Sequence, residues 1–281
     1  MLNRKRMIIL LQYDPSLKKV FRLSASELSS LLSLSREKSF SFYKKIQSQS
    51  LQKETLSVLR QFNIVTIFDE NYPHVLKTIK DPPLVLYTIG NSKLLNKKPS
   101  LSVIGTRNPS QHAKEKLSTI TEPIVRKGWV IVSGMALGID SYAHQLTLNL
   151  HGHTIAVLGS GFNHIYPKQH EDLFRLICKR GLVISEYPPH IKPARYHFPE
   201  RNRIISGLSF GTLVIEATMK SGTLITVDQA LDQGREVFAV PDSPLVRQAV
   251  GCNMLIKEGA QLVTSSEDIL YNWEQISDVM V

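Results

Sequence analysis

Glycine is missing from the first 89 residues, and all 15 glycines of the 281-residue chain lie at or after Gly90. Without glycine a segment has few positions suited to left-handed turns or close backbone approach, so the chain divides into two kinds of structure. Cysteine is nearly absent as well. Cys178 and Cys252 stand alone, with no CxxC pair, which excludes a disulfide framework and a cysteine-built zinc site and fits a reducing compartment. Arg4, Lys5 and Arg6 precede an apolar run at residues 7–11, as in a signal peptide, but the run stops at Gln12 and Asp14 and has no small-residue cleavage site. No other segment reaches the roughly 18 uninterrupted apolar residues of a membrane span. The sequence therefore predicts a cytoplasmic protein with no membrane insertion. No Walker A lysine motif is found either, which removes the basis for ATP hydrolysis.

What is present is basic. The net charge is +10, and it is unevenly placed: residues 1–89 hold 14 Lys and Arg against 7 Asp and Glu, residues 90–220 hold 17 against 8, and residues 221–281 hold 3 against 9. A polyanion should meet the first two segments, and the acidic last one suits a different partner. The glycine-free part carries helix signals. Ser24 with Glu27 forms a capping box ahead of Leu28, Leu31 and Leu32, and a second helix is predicted over residues 55–62 with Val58 and Phe62 on one face. Residues 64–68 read as a short strand, followed by turns at residues 71–73 and 81–83.

From Leu101 onward, β-branched apolar runs alternate with helical stretches, at residues 101–104, 129–132, 154–158, 182–184, 212–215, 236–240 and 261–263. Seven such runs predict a doubly wound, mostly parallel α/β sheet covered on both faces. Gly128, Gly152, Gly181, Gly234 and Gly259 are placed as left-handed helix caps. In an open parallel sheet, ligands bind outside the carboxyl ends of the strands. There the sequence places Gly105-Thr106-Arg107, then Ser133-Gly134 with the turn to Asp140, then Gly159-Ser160-Gly161. Three such turns on one edge offer backbone N–H groups and helix starts, the chemistry of a phosphate site.

A dinucleotide does not fit. The first turn reads GTRNPS rather than GxGxxG, and no acidic residue follows the second strand to hold a ribose. Arg107 instead supplies a planar cation able to grip phosphate through two hydrogen bonds. Lys168 lies beside the third turn, and Arg201, Asn202 and Arg203 open a helix, where two cations oppose the dipole unless an anion is bound. Phe162, Tyr166 and Phe198 stand next to these cations and provide faces on which bases could stack. His151 and His153 have no partner at metal-ligand spacing, and Asp140 reads as an organiser of its helical turn rather than a catalytic acid. No cofactor, metal ion or catalytic residue is expected.

Taken in order, Gly105-Thr106-Arg107, SGMALGIDSYAH (residues 133–144), GSGFNHIYPKQH (residues 159–170), SEYPP with FPERNRIISGLS (within residues 185–209) and SGTLITVDQALDQGREVFAVP (residues 221–241) resemble the signature blocks of the DprA/Smf family. The similarity covers about residues 64–263. It implies an extended Rossmann-like domain over residues 63–281, preceded by a sterile-alpha-motif-like helical module over residues 1–62. It also implies a protein, not an enzyme, that binds and protects single-stranded DNA and helps load RecA onto it during natural transformation. Single-strand-binding proteins would be further partners, and the family forms homodimers. Carried onto this chain, the DNA contacts would include Arg107, Lys168, Asn202 and Arg203, with Ser133, Gly134, Ser160 and Gly161 lining the pocket beside Gly105, Thr106 and Arg201. Two departures stand out: Asp242 occupies a position where the family commonly has glycine, and the winged-helix domain that many members carry is not expected here.

Two further expectations follow. Residues 210–216 loosely resemble the GGxGTxxE motif of the lonely-guy nucleotide phosphoribohydrolases, a competing reading in which Glu216 would cleave an N-glycosidic bond. In the acidic last segment, Leu245, Val246, Val250, Met254, Leu255 and Ile256 supply apolar surface for subunit and RecA contacts.

Overall fold

The computed structural model describes residues 4–219 and 221–277, and the ends of the predicted domain ranges at residues 1 and 281 lie outside them. The chain separates into two compact units, Met1–Phe62 and Asn63–Val281.

The first unit contains α1 (Arg4–Tyr13), α2 (Ala25–Leu32), α3 (Arg36–Ile46) and α4 (Gln49–Gln61). Serine starts three of these helices. Ser24, Ser35 and Ser48 each accept a hydrogen bond from the backbone N–H three residues on, and Glu27 reaches back to the Ser24 N–H at 2.7 Å to complete the capping box. Capping satisfies donors that the helix itself cannot. Leu10, Val20, Leu28, Leu32 and Leu34 form the core of this unit. The run that imitates a signal peptide is helix α1, with Leu10 buried in that core. The helix expected over residues 55–62 begins earlier, at Gln49, and Phe62 is its extended C-cap.

Among the described residues, the second unit is built on one nine-stranded sheet. Its strands are β1 (Asn63–Thr66), β2 (Val85–Gly90), β3 (Ser100–Ile104), β4 (Val130–Ser133), β5 (His153–Leu158), β6 (Leu182–Ser185), β7 (Gly211–Val214), β8 (Glu236–Ala239) and β9 (Gln261–Leu262), in the order β1-β2-β6-β5-β4-β3-β7-β8-β9. Strands β3 to β9 run parallel, while β2 is antiparallel to β6 and β1 to β2. The helices are α5 (His74–Lys77), α6 (Ala113–Arg126), α7 (Ile139–Asn149), α8 (Glu171–Arg180), α9 (His197–Gly207), α10 (Gly222–Asp232), α11 (Val250–Lys257) and α12 (Ser266–Ser277).

Alternate strand residues feed two cores, as the two-residue period of a strand requires. Val130 and Val132 pack with Ile204 and Ile205 of α9, Val227 of α10 and Leu255 of α11; Ile131, Leu101 and Val103 pack with Leu117 and Ile120 of α6, Ala143 of α7 and Ile269 of α12. Burying the central strands on both faces gives the continuous apolar runs seen in the sequence.

Two expectations need correction here. Gly128, Gly234 and Gly259 are left-handed, but Gly181 has φ −136°, and Gly152 is not among the positive-φ residues. Both are glycine because of close packing: a Cβ at Gly181 would lie 2.6 Å from the Thr154 carbonyl oxygen, and one at Gly152 would meet Val125. Left-handed geometry at the end of α7 falls instead on His151, with φ 55°. In the acidic segment Leu255 belongs to the core and Ile256 packs against it, so neither is free for a partner. Leu245 is 93% exposed, and Val246, Val250 and Met254 are half-buried.

Candidate nucleic-acid interface

The chain lays down β3, β4, β5 and β6 in one direction and then returns to place β7 on the other side of β3. The loops leaving β3 and β7 therefore diverge at a topological switch point, where the sheet's carboxyl edge opens a crevice. The loops after β3 and β4 are pressed together there. A Cβ at Gly105 would lie 2.5 Å from Ile139 Cγ1, and one at Gly138, whose φ is +77°, would strike the Thr106 carbonyl oxygen. The Ile139 N–H donates to that oxygen at 3.3 Å.

Beneath the loops lies a buried polar layer. Arg201 of α9 points inward, and its Nη1 donates to the carbonyl oxygens of Gly134, at 2.7 Å, and Val157. Its Nε donates to Asn202 Oδ1 at 3.2 Å, and Asp140 Oδ2 accepts the Gly134 N–H at 3.2 Å. Burial pushes the Asp140 carboxyl up, and the Arg201 charge pulls it back; burial lowers Arg201 to about 10, against the pull of Asp140, which leaves it protonated at neutral pH. His144 is fully buried and is lowered to about 3, first by burial and then by the Arg201 and His170 charges, and is therefore neutral. Its Nδ1 is 2.7 Å from Thr154 Oγ1, whose own hydroxyl donates to the Ile131 carbonyl, so the imidazole is the donor.

On top lies an exposed layer. Arg107 is exposed, with its guanidinium over the Phe198 ring at 5.9 Å, and Phe198 meets Tyr166 at 5.3 Å. Tyr166 is 48% exposed, and Lys168 is exposed on the short helix that follows it. His170 ties this helix to the second loop through Met135 O at 2.9 Å. Arg107, Gly134, Ala136, Leu137, Tyr166, Pro167, Phe198 and Arg201 enclose a depression of about 30 Å³. That is room for about one water, so the depression is shallow.

Several predicted contacts belong to the inner layer instead. Ser133 is fully buried and donates to the Val103 carbonyl oxygen at 2.6 Å. The Gly134 N–H is engaged by Asp140 and its carbonyl by Arg201. Ser160 Oγ donates to the His164 carbonyl oxygen at 2.7 Å, and the Gly161 N–H donates to Ile191 O at 2.8 Å, so the third glycine turn is engaged by its own neighbourhood. Arg203 pairs with Glu186 at 2.5 Å and with Asp81 at 3.7 Å. Thr106 is buried and accepts the Asn108 N–H; Asn202 is half-buried against Arg201. Phe162 is core, in contact with Phe174. Of the named cations, Arg107 and Lys168 face solvent. Glu216 is fully buried, and its oxygens accept from Ser110 and Lys116, which removes it as an acid for glycosidic cleavage.

The exposed layer also extends beyond what sequence reasoning named. The loop after β6 carries exposed Lys192 and Arg195 and leads to Tyr196, which is 65% exposed. His197 fixes this end: its ring packs between Tyr187, 4.0 Å away, and Tyr196, 4.5 Å away. The alternation of cations and aromatics over residues 192–198 is visible in the sequence and was the available signal.

Residues 63–274 match the family model described as DNA recombination-mediator protein A. The chain is 48% identical over 207 residues to DNA processing protein DprA of Bacillus subtilis, covering 74% of this chain and 70% of that one. It is 43% identical over 232 residues to DprA of Streptococcus pneumoniae, covering 83% and 80%. The X-ray structure of the Streptococcus pneumoniae protein superposes with a TM-score of 0.86 at 38% identity, covering 96% of this chain and 93% of that one. A structure of DNA processing protein A from Helicobacter pylori, described for its single-stranded DNA binding mode, superposes at 0.69 with 30% identity and covers 76% and 96%.

Proposed function

The chain belongs to the DNA recombination-mediator protein A family, and from that premise we propose that it binds single-stranded DNA along the carboxyl edge of its sheet and acts as a mediator of recombination and transformation, not as an enzyme. The observation that carries this reading is the exposed Arg107 guanidinium over the Phe198 and Tyr166 rings. A cation that can grip phosphate beside ring faces that can stack bases is the combination a flexible single strand can use and a stiff duplex cannot. Lys168 on one side and Lys192, Arg195 and Tyr196 on the loop after β6 extend the exposed layer. The shallowness of the depression favours a strand laid over it.

RecA and a second copy of this chain are the protein partners of this reading, and single-strand-binding proteins are those it displaces. The acidic segment from residue 221 onward repels a phosphate backbone, and its exposed Leu245, together with the half-buried Val246, Val250 and Met254, supplies the protein-facing surface.

Fluorescence anisotropy with a labelled single-stranded oligonucleotide and the matching duplex tests the reading. Single strands should bind tighter at matched salt, and log K should fall with log salt by about 0.7 per phosphate neutralised. Equal affinity for the two forms would overturn it.

A further inference from the structure

DNA contact leaves a second group of charges unexplained, on the β7 side of the switch point. Glu216 follows β7, yet four of its interactions reach residues 100 or more positions earlier in the chain. Its main-chain oxygen accepts the Thr106 N–H at 2.8 Å; its carboxylate accepts the Ser110 N–H at 2.8 Å, the Ser110 hydroxyl at 2.5 Å and Lys116 Nζ at 2.7 Å. One residue thus ties down positions 106 and 110, and Arg107 sits on the short arc between them. Lys116 lies between two carboxylates, the fully buried one of Glu216 and that of Asp242. Asp242 is held in turn by Asn253 of α11, which donates to the Asp242 carbonyl at 2.8 Å and accepts its N–H at 3.3 Å.

From this arrangement we infer that Glu216 is a positioning residue for Arg107: with Lys116 and Asp242 it forms a clamp that holds the 106–110 arc in the shape that presents the guanidinium to phosphate. The inference rests on the reading of Arg107 as a phosphate contact. Two other roles fit less well. As a phosphate contact, Lys116 would present one positive charge already faced by two negative ones, so the group as a whole would repel the ligand. As a catalytic acid, Glu216 would need an oxygen open to a substrate, whereas both are engaged by Ser110 and Lys116 and the residue is fully buried. A group that binds nothing but fixes a binding loop is what a preorganised site requires of its supporting residues.

Single-stranded DNA anisotropy across a salt series should be compared for wild type, Arg107→Ala, Glu216→Gln and the double variant, with Ser110→Ala as a milder change. Amide hydrogen exchange is followed in the same proteins. Glu216→Gln keeps the shape and removes the charge. It should weaken binding by roughly tenfold, the scale of losing a charge-assisted hydrogen bond, and flatten the salt dependence as Arg107→Ala does. The double variant should bind no worse than Arg107→Ala alone, because residues that act as a unit are not additive. Amides of residues 106–108 and 110 should exchange faster while those of the strands do not. Ser110→Ala should move the same readouts less, and it carries the test should Glu216→Gln fold poorly. Wild-type binding by Glu216→Gln, additive losses in the double variant, or unchanged loop exchange would each overturn the clamp. If Arg107→Ala itself binds like wild type, the reading of the site fails and the inference with it. If Arg107→Ala is impaired and Glu216→Gln is not, the inference alone fails.

Discussion

The carboxyl edge of the sheet has two layers of basic residues with opposite employment. In the inner layer Arg201 and Arg203 are buried against carbonyl oxygens and carboxylates of the protein itself; in the outer layer Arg107 lies over the Phe198 ring, and it, Lys168, Lys192 and Arg195 face solvent. A guanidinium is the same group in both places. What separates a structural arginine from a binding one is whether its donors are already satisfied, and that is decided by tertiary structure. The contrast can be pushed to breaking point by substitutions that act on one layer and not the other.

The largest effect should come from the inner layer. Arg201→Ala leaves the Gly134 and Val157 carbonyls without their donor and Asp140 without its cation. Leaving a buried acceptor without its donor costs about 1–3 kcal/mol, and two are stranded here, so urea unfolding of the sheet unit should show a loss of about 2–6 kcal/mol. Arg107→Glu should do the reverse. Its side chain is exposed, so stability should stay within about 0.5 kcal/mol, while affinity for a single-stranded oligonucleotide falls by roughly 100-fold through the lost phosphate contact and the added repulsion. A folded Arg201→Ala of wild-type stability, or an Arg107→Glu that still binds, would erase the distinction between the layers.

The inner layer should also respond to acid. His144 is depressed in the folded state to about 3 from an ordinary 6.5, so between those values the unfolded chain binds more protons than the folded one. Stability is therefore intact above about pH 6.5 and declines as pH falls, by up to about 1.4 kcal/mol per pH unit. Asp140, whose carboxyl is held above its ordinary value, works in the opposite sense at the acid end. Urea titrations from pH 7 to 4 should show the decline, and His144→Asn should flatten it. In the outer layer, Tyr196→Ala should cost about 1 kcal/mol of oligonucleotide affinity, the lower range for one base–aromatic stack, with no change in melting.

Much of the architecture was legible because it is written in local pattern. The seven parallel strands announce themselves as β-branched runs, and the Ser24 capping box needs only four residues. Strand β2 was missed: it is an antiparallel edge-side strand with one face partly open, so residues 85–90 lack the continuous apolar run of the central strands, and they follow a proline turn. At the site, residue types were readable but destinations were not. Arg201 meets acceptors 67 and 44 positions away and Ser133 one 30 positions away, so no window around either residue contains the information. Glu186, placed just after β6, was the one nearby clue that Arg203 had a partner.

The smallest expected effect separates the exposed basic edge from the acidic segment. Leu245 is 93% exposed and packs against nothing that its loss would disturb, so Leu245→Glu should leave stability within about 0.5 kcal/mol of wild type. It lies in the segment whose charge balance is 3 basic against 9 acidic residues, so the substitution adds one more negative charge to a surface already unsuited to phosphate. Binding to an oligonucleotide too short for two copies should therefore be unchanged. Self-association should not: an apolar side chain at the centre of a protein interface is desolvated on contact, and a carboxylate there resists desolvation. Sedimentation of the variant across a concentration series should show less dimer, and the yield of RecA filaments on a long strand should fall with it. Leu255→Glu makes the internal control, since Leu255 lies in the core and its substitution should cost stability outright. If Leu245→Glu sediments and loads RecA like wild type while Leu255→Glu unfolds, the exposed part of this segment is ordinary surface, and the protein-facing role belongs elsewhere on the molecule.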